Sequence, residues 1–359
     1  MSLPLIYNLS LQELADQCQV SGFPQFRAKQ IWNWIYGHNA TSWDAMHNIP
    51  PDTRLWLNQT FSIKPETKNH NLDTSIEIQQ PDKPSDRAST QKILVQLPDG
   101  ESVEAVIIPS TRQSPGAGPY TLCISCQVGC RFNCAFCASG KAGLIRSLDA
   151  GEIVLQVIEA TNIIGSRPSN VVFMGIGEPF DNYEQTLKAA RILNDPNGLK
   201  IGARKITIST SGIIPGIERL AKEGIQFELS VSLHAPTNAI RSQLMPINKE
   251  YPLQDLIETC KQYTRDTNRI ITFQYTLIRD INDKPEHAYQ LIKLLRKLHC
   301  RVNLIPLSPI DEFDGKPSTD SRSQNFIDTL NNAHINATLR NSKGASLKAA
   351  CGQLRFKGQ

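Results

Sequence analysis

The sequence predicts an α/β fold in which a parallel sheet forms a partial (βα)6 barrel. From about residue 120 onward, short β-branched or apolar segments alternate with segments of helical periodicity. Strand–helix repeats of this kind form right-handed βαβ units, which build a parallel sheet. In such folds the reactive side chains lie at the carboxyl ends of the strands. The six strand candidates are residues 120–125, 170–175, 204–210, 227–233, 271–278 and 301–307.

A small N-terminal helical accessory domain is predicted for residues 1–62. Ser10 and Glu13 fit a capping box at the start of one helix. A second helix is predicted from apolar residues at helical spacing, and Gly37 is positioned to end it. The apolar face of this helix comprises Ala28, Ile31, Trp32 and Ile35.

The remaining chain is predicted to form three further parts. Residues 63–115 are expected to be a linker and a β-hairpin extension, since two β-rich segments flank a Pro-Asp-Gly turn at 98–100. Residues 116–345 form the predicted barrel. Residues 346–359 form a C-terminal tail.

Length and composition exclude several classes of protein. The chain has 359 residues, more than one average domain, and its 40% hydrophobic content is too high for a disordered protein. The net charge of +4 is compatible with an acidic partner such as RNA but does not require one. No apolar run approaches the ~18 residues that a membrane span needs, and the N-terminus lacks the pattern of a signal peptide. We therefore expect a cytoplasmic protein without a membrane partner.

Five of the nine cysteines lie between Cys123 and Cys137. A tight cluster in a cytosolic protein indicates metal or redox chemistry rather than a disulfide framework. Cys130, Cys134 and Cys137 have the spacing C-x3-C-x2-C, which lets three thiolates bind an iron–sulfur cluster and leave one iron open. A structural zinc site would need a fourth ligand. Cys123 and Cys126 could supply it, so zinc remains an alternative on spacing alone.

The cysteine spacing, on the loop after the first barrel strand, resembles the motif of the radical S-adenosylmethionine (SAM) superfamily. The resemblance implies that Cys130, Cys134 and Cys137 hold a 4Fe–4S cluster. Its open iron would chelate SAM, and an electron from the cluster would cleave SAM to a 5′-deoxyadenosyl radical. The segments GIGEP, STSG and SLHAP follow other strand candidates and resemble SAM-binding motifs. They imply cofactor contacts from Gly177, Glu178, Ser209, Ser232, Leu233 and His234.

Nearly the whole chain resembles the RlmN/Cfr family of RNA methyltransferases. The similar segments are FRAKQIWNWIY, TLCISCQVGC, FMGIGEP, ITISTSG, SVSLHAP, MPINK, VNLIP and AACGQL. The resemblance implies methylation of adenine carbon 2 in 23S rRNA and in tRNA. Two departures bear on the choice of subgroup: Ser308 stands where the family usually has an Asn that contacts SAM, and the residues before AACGQL lack the usual acidic pattern.

The family resemblance also implies three catalytic residues. Cys351 would be S-methylated by one SAM and, after hydrogen abstraction, would add its methylene radical to the base. Glu104 would remove the ring proton, and Cys123 would release the product by forming a disulfide with Cys351. Carbon 2 of adenine is electron-poor and cannot attack a sulfonium methyl group, which is why radical chemistry is required. The alternatives are methylation of carbon 8 and a zinc-binding RNA-binding protein without catalysis.

The resemblance further implies the partners. They are 23S rRNA, tRNA and an electron donor such as flavodoxin or ferredoxin, and a monomer is expected. RNA recognition itself is weakly encoded, because the basic residues are scattered and a folded RNA is recognised largely by shape. The cations that could contact phosphates are Arg131, Lys141, Arg146, Arg204, Lys205, Arg355 and Lys357.

Overall fold

A computed structural model describes residues 3–64, 76–79, 90–110, 118–340 and 348–355. The N-terminal part is helical, as predicted. It contains a 3-10 turn and three helices, namely Ile6–Asn8, α1 (Leu11–Val20), α2 (Phe26–Tyr36) and α3 (Pro51–Thr60). The capping box is confirmed, because the Ser10 hydroxyl accepts from the Glu13 NH and the Glu13 carboxylate accepts from the Ser10 NH. The predicted apolar face of α2 is buried, and the helix ends before Gly37.

An antiparallel extension precedes the barrel. Its strands are β1 (Ile76–Gln79), β2 (Gln91–Gln96), β3 (Ser102–Pro109) and β4 (Gly118–Cys123). β2 and β3 form the predicted hairpin, and β3 pairs antiparallel with β4. Glu104 lies in the middle of β3, opposite Leu94. The hairpin therefore joins the barrel through the strand that carries Cys123.

A second, two-stranded sheet encloses the cysteine loop. β5 (Gln127–Gly129) pairs antiparallel with β6 (Leu144–Ser147), and the cysteine motif lies between them. A 3-10 turn, Ala138–Gly140, follows the last cysteine of the motif. This small sheet was not predicted, because its strands are very short.

The parallel part of the sheet follows the predicted strand–helix alternation. The strand order is β4-β7-β8-β9-β10-β11-β12, all pairs are parallel, and β1 and β12 are the edges of the described sheet. Six of these strands match the six candidates, which confirms the α/β class. β12 was missed because it is a four-residue edge strand. The strands are β7 (Pro168–Phe173), β8 (Ile206–Thr210), β9 (Glu228–Ser232), β10 (Ile271–Leu277), β11 (Cys300–Pro306) and β12 (Asn336–Leu339).

Helices connect and cover these strands. The α-helices are α4 (Ala150–Ile164), α5 (Tyr183–Asn194), α6 (Ile214–Lys222), α7 (Asn238–Leu244), α8 (Leu253–Thr267), α9 (Pro285–Leu295) and α10 (Asp320–Asn332). Short 3-10 turns cover Ala203–Lys205 and Pro246–Lys249. Within the described ranges, no helix is both long and apolar enough to cross a bilayer.

The accessory helices and the barrel share one hydrophobic core. Trp32 of α2 and Phe173 of β7 belong to the same buried cluster. Asn8 accepts a hydrogen bond from the backbone NH of Gly151 at 2.6 Å, which fixes the start of α4 against the N-terminal segment. A further ion pair joins Glu13 and Lys188 at 2.6 Å. The N-terminal part therefore contacts the first two helices that cover the barrel sheet, which are residues 150–164 and 183–194.

Asn282 is expected to be essential to the fold where β10 ends. Its buried side chain donates to the carbonyls of His234 and Thr276, both at 2.7 Å, and accepts from the NH of Ile278 at 2.7 Å. Asn282→Ala leaves these buried backbone groups unpaired, so we expect a loss of about 2–4 kcal/mol in the free energy of unfolding. Urea denaturation measures this loss. Asn332→Ala, at an exposed position, is the control and should change stability by less than about 0.5 kcal/mol.

Candidate active site

A cavity lies where several barrel strands end, and it gathers most of the predicted site residues. The cysteine loop, the turn after β7 and the ends of β8, β9 and β11 all contribute to its wall. The predicted residues that line it are Cys130, Cys134, Cys137, Gly177, Glu178, Ser209, Ser232, His234, Ser308 and Cys351. The convergence follows from the parallel sheet, since the carboxyl ends of its strands lie at one edge.

Three predicted site residues lie off this wall. The side chain of Leu233 is fully buried in the core, and its backbone NH donates to the Gln274 carbonyl at 3.0 Å. Cys123 lines a second, adjacent cavity. Glu104 is buried between the hairpin and the C-terminal tail.

The three motif cysteines are held by backbone contacts of the loop. Cys130 donates its NH to the Gly143 carbonyl at 2.9 Å, and Ala135 donates to the Leu244 carbonyl of α7 at 2.8 Å. Burial raises the pKa of Cys130 to about 12 and raises that of Cys134 as well. The neighbouring motif thiols raise both values further. Cys130 and Cys134 are therefore protonated in the metal-free protein, and a bound metal must convert them to thiolates.

The donor set of this loop fits an iron–sulfur cluster better than a single metal ion. Among the described residues, no group of three or more His, Cys, Asp and Glu side chains is arranged to hold one ion. Zinc needs all its donor atoms about 2.0–2.3 Å from a single centre. In a 4Fe–4S cluster, by contrast, each thiolate binds a different iron, so the sulfurs lie further apart. Cys130, Cys134 and Cys137 face one cavity, as cluster ligands must.

The turn after β7 places a buried carboxylate on the cavity wall. Gly177 has φ +102°, and a Cβ there would lie 2.6 Å from the Cβ of Gln127, so only glycine fits. Gln127 accepts from the NH of Glu178 at 2.9 Å. The Glu178 carboxylate in turn accepts from the NH groups of Ser211 at 2.6 Å and Phe180 at 3.0 Å. This turn therefore connects the cysteine hairpin to the end of β8.

Glu178 is suited to bind a cation in the cavity. Burial raises the pKa of its carboxyl group, although the backbone hydrogen bonds from Ser211 and Phe180 oppose the shift. A carboxylate destabilised by burial gains most from an opposite charge. The ammonium group of an amino-acid ligand would supply that charge.

His234 is held as a neutral imidazole. It occupies the left-handed region with φ +55°, and its ring packs edge-on against Phe136 with 4.8 Å between centroids. Its Nδ1 accepts from the backbone NH of Thr276 at 2.9 Å, so the proton of the neutral ring resides on Nε2. Burial, with a contribution from the charge of Arg241, lowers its pKa to about 3. The ring therefore offers a hydrogen-bond donor without a charge.

The C-terminal tail carries Cys351 to the boundary between the two cavities. Cys351 and Met174 line both of them, whereas Cys123 lines only the second. Cys351 is exposed, and the carbonyl of the next residue, Gly352, accepts from the NH of Ala138 at 2.7 Å. Ser139 also donates to the Leu354 carbonyl at 2.7 Å. The tail is thus fixed directly to the cysteine loop.

Gly352 makes this seating possible. Its φ is +82°, and a Cβ there would lie 2.9 Å from the carbonyl oxygen of Phe136.

Cys123, opposite the tail, is buried, and burial raises its pKa to about 12. All nine cysteines, each in a described part of the chain, are free thiols.

Glu104 is engaged by two partners. Its carboxylate forms an ion pair with Lys92 at 2.8 Å and accepts from the backbone NH of Arg355 at 2.9 Å. Arg355 itself forms a bidentate ion pair with Glu312, at 2.7 and 2.8 Å. The position of the tail and the availability of Glu104 are therefore linked.

Sequence reasoning missed some residues of the site. Met174 and Arg340 line the second cavity together with Cys123, and Arg241 lies buried behind the first cavity. The position of Met174 between a strand and the GIGEP motif was a usable signal. Nothing in the sequence indicated the burial of Arg241 on α7.

Several cations proposed for RNA contacts are already paired in the structure. Arg131 pairs with Asp181, and Arg146 pairs with Asp99 and Glu152. Lys357 lies outside the described residues. The paired groups would have to exchange partners before they could contact phosphate.

Two family models match the chain. Residues 124–292 match the radical SAM superfamily, and residues 6–63 match the ribosomal RNA large subunit methyltransferase N-terminal domain. The first match contains the cysteine motif and most of the parallel strands. The second covers the accessory helices.

Individual proteins resemble the chain over nearly its full length. It is 44% identical to the "Probable dual-specificity RNA methyltransferase RlmN" of Geobacillus kaustophilus. That match covers 99% of this chain and 93% of the relative. The protein of the same name from Akkermansia muciniphila is 40% identical, with 99% and 96% covered. A crystal structure of a radical SAM methyltransferase from Sphaerobacter thermophilus matches with a TM-score of 0.89 at 41% identity, over 98% of this chain and 99% of that one. The expected barrel and cofactors are confirmed by these matches.

The buried His234 predicts a pH dependence of stability in the metal-free protein. Its folded pKa, about 3, lies below the ordinary value of 6.5, so below pH 6.5 the unfolded state binds the proton more readily. Stability from this group is complete above pH 6.5 and is lost as the pH falls toward 3. Between pH 7 and pH 5 we expect the free energy of unfolding of the wild type to fall by about 2 kcal/mol through this group. His234→Gln should not show this fall. Urea titrations of both proteins measure it, and equal losses in the two would contradict the assignment.

Proposed function

Because the chain belongs to the RlmN family of radical SAM RNA methyltransferases, we propose that it methylates carbon 2 of an adenine in 23S rRNA and of an adenine in tRNA. The observation that carries the proposal is the place of Cys351, which lines both cavities. The first, which the motif cysteines line, is called the cofactor cavity below, and Cys123 lines the second. A methyl carrier must face its methyl donor on one side and its acceptor on the other. Because these RNAs belong to the cytoplasmic translation machinery, a cytoplasmic location is part of the proposal.

The side chains that line the cofactor cavity are the proposed ligands of the cluster and of SAM. We assign the cluster to Cys130, Cys134 and Cys137, and the ammonium group of SAM to the carboxylate of Glu178. Ser209, Ser232, Ser308 and the Nε2–H of His234 are hydrogen-bonding groups on the same wall. When bound, the cluster and SAM supply a methyl group to a thiol and then a carbon radical that removes a hydrogen atom from the resulting thioether.

Cys351 and Cys123 carry the covalent steps in this proposal. The Cys351 thiolate accepts the methyl group, and its carbon later becomes bonded to carbon 2 of the base. A base removes the ring proton, and the radical adduct gives up one electron, for which the oxidised cluster would be the acceptor. The Cys123 thiolate then attacks the sulfur of Cys351, so that an S–S bond forms and the S–C bond breaks. The electron pair of the broken bond and one proton complete the methyl group, and an external thiol must reduce the disulfide before another turnover.

The electrostatics of Cys123 set a condition on the last step. Its pKa of about 12 means that the thiol is protonated at neutral pH, and disulfide exchange requires the thiolate. The positive charge of Arg340, which lines the same cavity, lowers the pKa of Cys123 and so favours the thiolate. We therefore assign Arg340 a supporting role at Cys123.

Glu104 is the proposed general base, with a condition of its own. In the described conformation its oxygens are occupied by Lys92 and by the NH of Arg355. Glu104 lines neither cavity in this conformation, so the tail that covers it at Arg355 must move before the carboxylate can reach a base. The ammonium group of Lys92, 2.8 Å from the carboxylate, holds Glu104 in place while the proton arrives.

Single cysteine variants separate the two thiol roles. Cys351→Ala should abolish RNA methylation, at least a thousandfold, because no other carrier thiol lies at the cavity boundary among the described residues. Cys123→Ala should also lose turnover but should leave RNA covalently attached to Cys351. Denaturing gels and mass spectrometry detect the attachment. Cys300→Ala, outside both cavities, is the control, and RNA methylated normally by Cys351→Ala would refute the mechanism.

The position of the methyl group is tested on the product. Purified enzyme, reconstituted anaerobically with iron and sulfide, is incubated with SAM, a reductant and either a 23S rRNA fragment or tRNA. Nucleoside mass spectrometry should show 2-methyladenosine in both RNAs. A peak of 8-methyladenosine would establish the alternative specificity, and methylation of one RNA alone would restrict the substrate range.

A further inference from the structure

Arg241, on α7, is a fully buried cation without an acidic partner among the described residues. Its guanidinium donates to the carbonyls of Ser211 at 2.6 Å and Ser232 at 3.2 Å, and to the side chain of Asn248 at 3.0 Å. These partners are neutral. Its Nε atom is buried and has no hydrogen-bond partner within the described ranges.

An isolated buried charge is unfavourable and normally has a counter-charge close by. Burial lowers the pKa of Arg241 only to about 10, so the group remains charged at neutral pH. The protein therefore keeps a positive charge in its interior that the described residues do not neutralise. A negative group that is bound from outside the chain would neutralise it.

The position of Arg241 indicates which group this is. Ser211 and Ser232, whose carbonyls it contacts, line the cofactor cavity beside the cysteine motif. The last residue of α7, Leu244, accepts from the NH of Ala135, which follows Cys134. The charge of Arg241 also acts on the thiol of Cys134. Arg241 is thus close enough to the middle cysteine of the motif for its charge to act there.

We propose that Arg241 is the counter-charge of the iron–sulfur cluster and raises its reduction potential. A 4Fe–4S core held by three thiolates is negatively charged, and each electron that it accepts adds another negative charge. A buried cation stabilises the reduced form more than the oxidised form, which raises the potential. Arg241 is not among the residues that line the cofactor cavity, so it would act on the cluster through its charge rather than as a ligand. The inference depends on cluster binding and is independent of the base that is methylated.

Arg241→Gln and Arg241→Lys separate charge from hydrogen bonding. Gln retains a donor but is neutral, and Lys retains the charge. All proteins are reconstituted anaerobically, iron and sulfide are quantified, and the cluster is titrated against a reductant and followed by absorbance and electron paramagnetic resonance. At the wild-type midpoint, Arg241→Gln should have at least a tenfold lower ratio of reduced to oxidised cluster, equal to a shift of about 59 mV for one electron. Arg241→Lys should remain within threefold of wild type.

Thermal unfolding provides a second measurement. Cluster loading should raise the melting temperature less in Arg241→Gln than in wild type, because the counter-charge is missing. Arg269→Met is the matched control, since Arg269 is also largely buried but pairs with Glu228 and lies outside the cavity. This variant should lower the melting temperature equally with and without cluster, and it should not shift the potential.

Three results would overturn the proposal. The first is a result in which Arg241→Gln has the same reduction potential as wild type and gains as much in melting temperature when the cluster is loaded. The second is a shift of the same size in Arg241→Lys, which would show that shape rather than charge matters. The third is a tenfold weaker binding of SAM to Arg241→Gln with an unchanged potential, which would make Arg241 a cofactor ligand. If Arg241→Gln does not fold, Arg241→Met is the second neutral variant.

Discussion

Burial disfavours the thiolate form of cysteine, and this constraint determines which charges the cofactor cavity must provide. Cys130 and Cys134 have raised pKa values in the metal-free protein, and each thiol also disfavours ionisation of its neighbours. A cluster that binds there must supply enough positive charge to remove their protons. The bound cluster is nevertheless negative overall, so the surroundings must stabilise it in turn. The uncompensated Arg241 meets that need from behind the loop.

Hydrogen bonds from the side chains of Ser125 and Gln127 to backbone groups connect this loop to the proposed base and to the SAM turn. The hydroxyl of Ser125 donates to the Glu104 carbonyl at 2.7 Å and accepts from the NH of Ile176 at 2.8 Å. Gln127, two residues later, holds the NH of Glu178. A single short segment after β4 therefore aligns β3, the GIGEP turn and the start of the cysteine hairpin. A shift of any of these elements displaces the other two.

The parts of the fold that were predictable depend on local patterns. The six strand candidates and the capping box at Ser10 follow from periodicity and from residues close in sequence. The convergence of Cys130, Glu178 and His234 followed from the rule that parallel strands end at one edge. β12 could not be predicted, because an exposed four-residue strand has too weak a pattern. The burial of Arg241 and the occupation of Glu104 by the tail depend on contacts between distant segments, which spacing does not encode.

The contacts of the C-terminal tail impose an order on the proposed reaction. While the Arg355 NH is bonded to Glu104 and Gly352 is bonded to Ala138, Cys351 lines the cofactor cavity but Glu104 lines neither cavity. This arrangement suits methyl transfer to Cys351, which needs no base near the RNA. Removal of the ring proton requires that Glu104 can reach the base. The tail must therefore first move away from Glu104 at Arg355. Carrier loading and proton removal thus require two different positions of the same short segment, and Glu104 can act as a base only after the tail has left its present seat.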